Sequence, residues 1–244
     1  MFPLRAIIRL CVALRIHPNT LTLVGVIINI GAAWALGFGH FILAGVTMIV
    51  ANIFDFIDGK VAHQLHLQSR FGAFWDSTLD RFSDIALFLG PIYLYATVRR
   101  TDYVMVAALA MMFSIMTSYA RARAESLIDK CKVGFMERPE RIVLFMIGAF
   151  TDRMAAVLWV ILVLSIVTVA NRMHYTYLAL NGKPMPTGSN VLTNAFAHAF
   201  FWRDERATLP YDLWVIAILA FVWLTPPDWL QDPTAMGLGI WGWL

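Results

Sequence analysis

The chain has 244 residues, of which 59% are hydrophobic and 14% charged, with a formal net charge of +3. That apolar share exceeds what a soluble domain usually carries, so repeated long apolar runs argue for one helical membrane bundle rather than one or two soluble domains. Nucleic acid is not expected among the partners, and the two cysteines, Cys11 and Cys131, lie in different segments and imply no disulfide framework.

Residues 1–17 set Ile7, Leu10 and Leu14 against Arg5, Arg9 and Arg15, which predicts an amphipathic helix lying in the membrane interface. The same arginines, with no small-residue cleavage pattern, argue against a removed signal peptide. At "HPNT", Pro18 disfavours helix at His17, and Asn19 or Thr20 is expected to cap the next helix. Membrane spans are predicted at Leu21–Leu36, Phe41–Ile57, Gly72–Thr97, Tyr103–Ala124, Glu140–Phe150 and Ala155–Ala170. The fifth is short for a hydrocarbon core of ~30 Å and is expected to tilt or to borrow residues from the loop before it.

Basic residues in the short loops set the orientation. Six spans put Arg5, Arg9, Arg15, Lys60, Arg70, Arg121, Arg123, Lys130, Lys132, Arg138, Arg141 and Arg172 on one side, against Arg99, Arg100 and Arg153 on the other. This predicts an integral protein of the cytoplasmic (inner) membrane with its functional face toward the cytoplasm. The fold class is therefore all-α integral membrane: a six-helix bundle over residues 1–175, preceded by the amphipathic helix. Residues 176–244 form a C-terminal extension of unassigned role. Its apolar run between Asp212 and Thr225 fits an interfacial or re-entrant helix as readily as a seventh span, and "GLGIWGWL" reads as an aromatic interfacial anchor. A homodimer is expected.

Charge is most costly where this sequence concentrates it. Asp55, Asp58, Asp76, Asp80 and Asp84 fall within 30 residues, at or inside two predicted spans. On helices, Asp55 and Asp58 are i and i+3, Asp76 and Asp80 are i and i+4, and Asp84 continues the second stripe. Four carboxylates converging in a half-buried site cannot all stay ionised unpaired. They must be protonated or bind cations, and an all-oxygen set suits hard divalent ions such as Mg²⁺, Mn²⁺ or Ca²⁺. Two such ions would form the arrangement used to clamp a phosphoryl group during displacement. Gly59 and Gly72 flank the carboxylates and could let backbone or a nucleotide approach closely, or simply pack.

The run Asp55-x-x-Asp58-Gly59-x-x-Ala62-His63-(eight residues)-Gly72-x-x-x-Asp76-x-x-x-Asp80 resembles the signature of the CDP-alcohol phosphotransferases. Seven fixed positions match in register over 26 residues; His63 stands where the family has arginine. The resemblance covers residues 15–175, including "HPNTLT". It implies a six-helix membrane enzyme that transfers the phosphatidyl part of a CDP-linked lipid to an alcohol and releases CMP. In that reading Asp55, Asp58, Asp76 and Asp80 hold two divalent ions, Mg²⁺ or Mn²⁺, and Asp80 is also the general base. Asp84 lies outside the signature and is expected to support or pack. Thr20, Thr22, Gly59, His63 and Gly72 would bind the CDP lipid. At His63 an imidazole that is mostly neutral at pH 7 replaces a bidentate guanidinium.

The stretch "SYARARAE" followed by "GFMERPER" is similar to the phosphatidylinositol-phosphate synthases of bacteria and the archaetidylinositol-phosphate synthases of archaea. That resemblance implies an inositol phosphate acceptor, its phosphate held by Ser118, Arg121, Arg138 and Arg172. Fixed arginines suit an anionic acceptor because the guanidinium offers bidentate geometry. The alternative within the same chemistry is transfer to glycerol 3-phosphate, as in a phosphatidylglycerophosphate synthase. A cation- or proton-coupled transporter is the alternative from another class, since intramembrane carboxylates also mark ion pathways. It predicts acids scattered along the spans, whereas these cluster at the ends of two adjacent helices.

Overall fold

A computed structural model describes residues 2–184 and 208–234 of the chain. Among these residues every regular element is a helix. The aromatic tail at 237–244 falls outside them. The chain divides into two compact units, Met1–Arg100 and Thr101–Leu244.

The first unit contains α1 (Phe2–Ala13), α2 (Pro18–Gly37), α3 (Phe41–Gln64) and α4 (Arg70–Thr97). α1 buries Ile8 and Cys11 against Leu21, Ile57 and Val61, while Arg5 and Arg9 stay exposed. The N-cap of α2 is His17, not the expected Asn19 or Thr20. Its Nδ1 accepts the Asn19 N–H at 3.2 Å, and Pro18 occupies the first turn. Proline is tolerated there because its missing N–H is one the helix cannot satisfy anyway. α3 continues past the expected end at Ile57 to Gln64, since no proline intervenes and Val61 adds to the buried cluster around α1. α4 is capped by Ser69, whose Oγ accepts the Gly72 N–H at 2.9 Å.

α2 packs against both α3 and α4. At Gly90 a Cβ would stand 2.5 Å from the Ala33 carbonyl oxygen, so only glycine permits the closest approach of α4 to α2. Asn29 Nδ2 donates to Ser83 Oγ at 2.6 Å and ties the same two helices through a buried polar pair.

The second unit contains α5 (Thr101–Glu125), α6 (Arg138–Thr151), α7 (Met154–Leu180), α8 (Leu209–Leu224) and the short α9 (Pro227–Leu230). α7 packs against α5, α6 and α8. It runs through residue 175 to Leu180, where Asn181 caps it, so position 175 lies inside a helix. α8 lies alongside α6 in the same direction. Tyr211, in its first turn, donates to Glu140 Oε1 at 3.2 Å, and Arg153, just after α6, donates to the Thr225 carbonyl at 2.9 Å. The residues after α8 return to this end, where Tyr103 donates to the Leu230 carbonyl and Asp232 Oδ2 accepts the Ala155 N–H.

Among the described residues four helices, α2, α3, α5 and α7, are long and apolar enough to cross a membrane. α4 has 28 residues but carries Asp76, Asp80, Arg81 and Asp84, and α6 has 14. At 1.5 Å per residue α6 is about 21 Å long, as the short fifth span implied. Leu23, Ile27, Ile30 and Trp34 on α2 are all more than 40% exposed, an apolar face suited to lipid rather than water.

Candidate active site

Helical spacing brings the acids together. Asp55 and Asp58 lie one turn apart on α3, Asp76 and Asp80 one turn apart on α4, and residues 65–69 reverse the chain between the two helices. One carboxylate oxygen from each of Asp55, Asp76 and Asp80 falls within 4.8 Å of the others, and all three residues are half-buried. Unit charges at that separation repel by about 3–4 kcal/mol per pair at an effective dielectric constant of ~20. The arrangement therefore calls for a cation or a proton, and a trio of oxygen donors fits a hard divalent ion.

Asp58 lies outside this trio. It is buried, 7% exposed, and its Oδ2 accepts a 2.6 Å hydrogen bond from Thr22 Oγ1. Asp80 lies 3.7 Å from Arg81 Nη1, a neighbour the sequence reading did not single out. Asp84, a further turn along α4, is buried.

The other residues expected around the donor lipid have varied surroundings. Gly59 is exposed, and a Cβ there would meet nothing within 4 Å, so the backbone beside Asp58 is open. At Gly72 a Cβ would come within 3.1 Å of Ser69 Oγ and crowd the cap of α4. His63 and Thr20 are exposed. The start of α2 is tied to α4 by Trp75 Nε1, which donates to the Asn19 carbonyl at 3.4 Å.

In the second unit the predicted arginines gather around one acid. Arg121 Nη1 donates to Glu137 Oε1 at 2.8 Å, and its Nε donates to Glu125 Oε1 at 3.1 Å. Arg172 is only 2% exposed. It donates to the Val133 carbonyl at 3.0 Å, to the Thr117 carbonyl, and to Glu137 Oε1 at 3.4 Å. Its guanidinium is thus committed largely to the backbone and to Glu137. Ser118 is half-buried near the C-terminal end of α5, and Arg138 is half-buried at the first position of α6. Sequence reasoning placed Glu137 beside Arg138 but gave it no role. The signal was a carboxylate among arginines in "ERPER". Near the same loop, burial pushes the Cys131 thiol above its ordinary value.

The profile of the CDP-alcohol phosphatidyltransferase family matches residues 15–224. The chain belongs to this family. The match runs beyond residue 175, where the motif resemblance stopped. As a CDP-alcohol phosphatidyltransferase the protein is a divalent-metal-dependent transferase, and its relatives point to one branch. It is 35% identical over 166 residues to a phosphatidylinositol phosphate synthase of Mycobacteroides abscessus, covering 64% of this chain and 76% of that one. It is 34% identical over 173 residues to an archaetidylinositol phosphate synthase of Pyrococcus horikoshii, covering 70% and 89%. The fold is similar to Mycobacterium tuberculosis phosphatidylinositol phosphate synthase (PgsA1) with CDP-DAG bound. There the TM-score is 0.68 at 26% identity, over 72% of this chain and 94% of that one. PgsA1 has also been solved with manganese and citrate, with the same TM-score.

Proposed function

We propose that this CDP-alcohol phosphatidyltransferase transfers the phosphatidyl group of a CDP-diacylglycerol-like lipid to a hydroxyl of an inositol phosphate and releases CMP. The observation that carries this reading is the Asp55–Asp76–Asp80 trio, set in the family signature, together with relatives that make inositol phosphate lipids. Asp55, Asp76 and Asp80 would hold a divalent ion, and Asp58, one turn further along α3, would add a carboxylate for a second. Bound there, Mg²⁺ or Mn²⁺ supplies charge neutralisation for the pyrophosphate and the leaving CMP. Asp80 takes the proton of the acceptor hydroxyl as that oxygen bonds to the phosphorus carrying the diacylglycerol and the pyrophosphate P–O bond breaks.

Thr22 orients Asp58, and the open backbone at Gly59, together with His63, Thr20 and Gly72, receives the cytidine diphosphate. Ser118, Arg121 and Arg138 contact the acceptor phosphate. Arg172 acts on it from behind, through Glu137 and the carbonyls of Val133 and Thr117. The loop arginines lie on the cytoplasmic side of an inner membrane, and α1 lies in its interface. α8, parallel to α6 and about 24 Å long, adds a seventh spanning helix. Two chains pair as a homodimer.

The test is CMP release by the purified full-length protein from CDP-diacylglycerol with inositol 1-phosphate, glycerol 3-phosphate, serine and free inositol offered separately. Inositol 1-phosphate is the expected acceptor. Turnover of free inositol without turnover of its phosphate overturns the reading.

A further inference from the structure

The segment Val133–Glu137, between α5 and α6, is held by Thr168 and Arg172 of α7 and by Arg141 of α6, which Thr117 of α5 holds in turn. From α7, Thr168 Oγ1 accepts the Met136 N–H at 3.1 Å, and Arg172 donates to the Val133 carbonyl. From α6, Arg141 Nη1 donates to Thr117 Oγ1 of α5 at 3.1 Å and lies 3.5 Å from the Met136 carbonyl. Gly134 has φ +92°, and a Cβ there would lie 2.4 Å from Thr168 Cγ2, so the segment is pressed onto α7. Arg141, Thr117 and Thr168 are each no more than 2% exposed.

A buried guanidinium is an expensive way to stabilise a fold. Well-packed apolar residues in such places are often as stabilising or more so. What the arrangement supplies is direction. Guanidinium groups reach two helices and a loop at once, and the end of that loop is Glu137, which fixes Arg121 at 2.8 Å and immediately precedes Arg138. We propose that Arg141, with Thr117 and Thr168, forms a positioning set that fixes Glu137, and through it Arg121 and Arg138, in the geometry that receives the acceptor's phosphate. Arg141 touches no substrate itself. The inference rests on the acceptor reading above and adds residues that act through it.

The experiment compares the full-length enzyme with Thr117→Val, Thr117→Ser and Arg141→Met, all in the same detergent. Thr117→Val keeps the side-chain shape and removes the hydroxyl that receives Arg141, so it is the variant chosen to fold. Since misplacement by about 1 Å costs up to ~100-fold, KM for inositol 1-phosphate should rise about 10-fold or more in Thr117→Val and Arg141→Met. KM for CDP-diacylglycerol should stay put, and Thr117→Ser should behave as wild type. Hydrogen exchange at the amides of residues 133–137 should speed up in Thr117→Val and not in Thr117→Ser. A wild-type enzyme that turns over inositol 1-phosphate beside variants whose two KM values are unchanged, or rise together, overturns this inference alone. A wild type inactive with inositol 1-phosphate and glycerol 3-phosphate alike overturns the functional reading and this inference with it.

Discussion

Replacing Thr22 by valine removes one hydroxyl and nearly nothing else, which makes it a sharp probe of the proposed metal centre. The bond it deletes, from Oγ1 to Asp58 Oδ2, is 2.6 Å long, within the range of charge-assisted O–H···O⁻ bonds, and both residues are buried. Hydrogen bonds to charged groups contribute about 1.5–3 kcal/mol, a factor of about 10 to 150 in an equilibrium constant. If the hydroxyl orients Asp58 toward the cation, that loss appears in metal affinity, where removal of such an outer partner typically costs ~10–100-fold. The assay is CMP release against free Mn²⁺, with thermal unfolding recorded alongside. Thr22→Val should shift the activation midpoint upward by at least about 10-fold, and Thr22→Ser, which keeps the hydroxyl, should leave it near wild type. A Thr22→Val curve that overlays the wild type refutes the role given to Asp58.

Other expectations address separate parts of the molecule. Asp80→Asn should abolish CMP release while its unfolding temperature stays close to wild type; an active, folded variant removes Asp80 as the base. Chelation with EDTA should stop turnover and Mg²⁺ or Mn²⁺ should restore it, and turnover that survives chelation excludes the metal role of the Asp55–Asp76–Asp80 trio. Gly134→Ala combines a positive φ with a Cβ 2.4 Å from Thr168 Cγ2, so it should destabilise by about 2 kcal/mol or more, read as a lower unfolding temperature. Cys131 is fully buried, and burial raises its thiol pKa. It should therefore resist maleimide at neutral pH until the protein unfolds. The stability that this neutral thiol contributes is present below the unfolded-state pKa and lost as pH rises through and above it.

The parts of the site that were legible in the sequence are those set by spacing along one helix. Asp55, Asp76 and Asp80 could be placed on facing turns because i+3 and i+4 positions share a face whatever else the chain does. Helix ends were harder to place. His17 captured the cap of α2 because its imidazole reaches the Asn19 N–H, a side-chain geometry that composition does not display. α3 and α7 overran their expected ends because hydropathy marks where lipid stops and not where hydrogen bonding stops. Arg121 and Arg172 were recognisable as basic residues near a binding face. Their shared hold on Glu137 depends on how three helices meet a loop, and no local pattern encodes that. Asp58 shows the same limit: the motif groups it with the other three acids, while Thr22, 36 positions earlier, decides what its carboxylate touches.

The tight reversal at residues 65–69 bears on how the protein is made as well as on how it works. The three acids that approach one another are separated by no more than 25 positions, and a single helical hairpin closes them. Such a loop has a small closure entropy, and contacts of this range form early. Thr22 is synthesised before them all. The carboxylate half of the site can therefore assemble during insertion, as soon as α4 leaves the ribosome and while α5 to α8 are still being translated. In the proposed orientation, divalent ions of the cytoplasm would then meet a formed carboxylate cage on a nascent chain and stabilise that hairpin before the rest of the bundle exists.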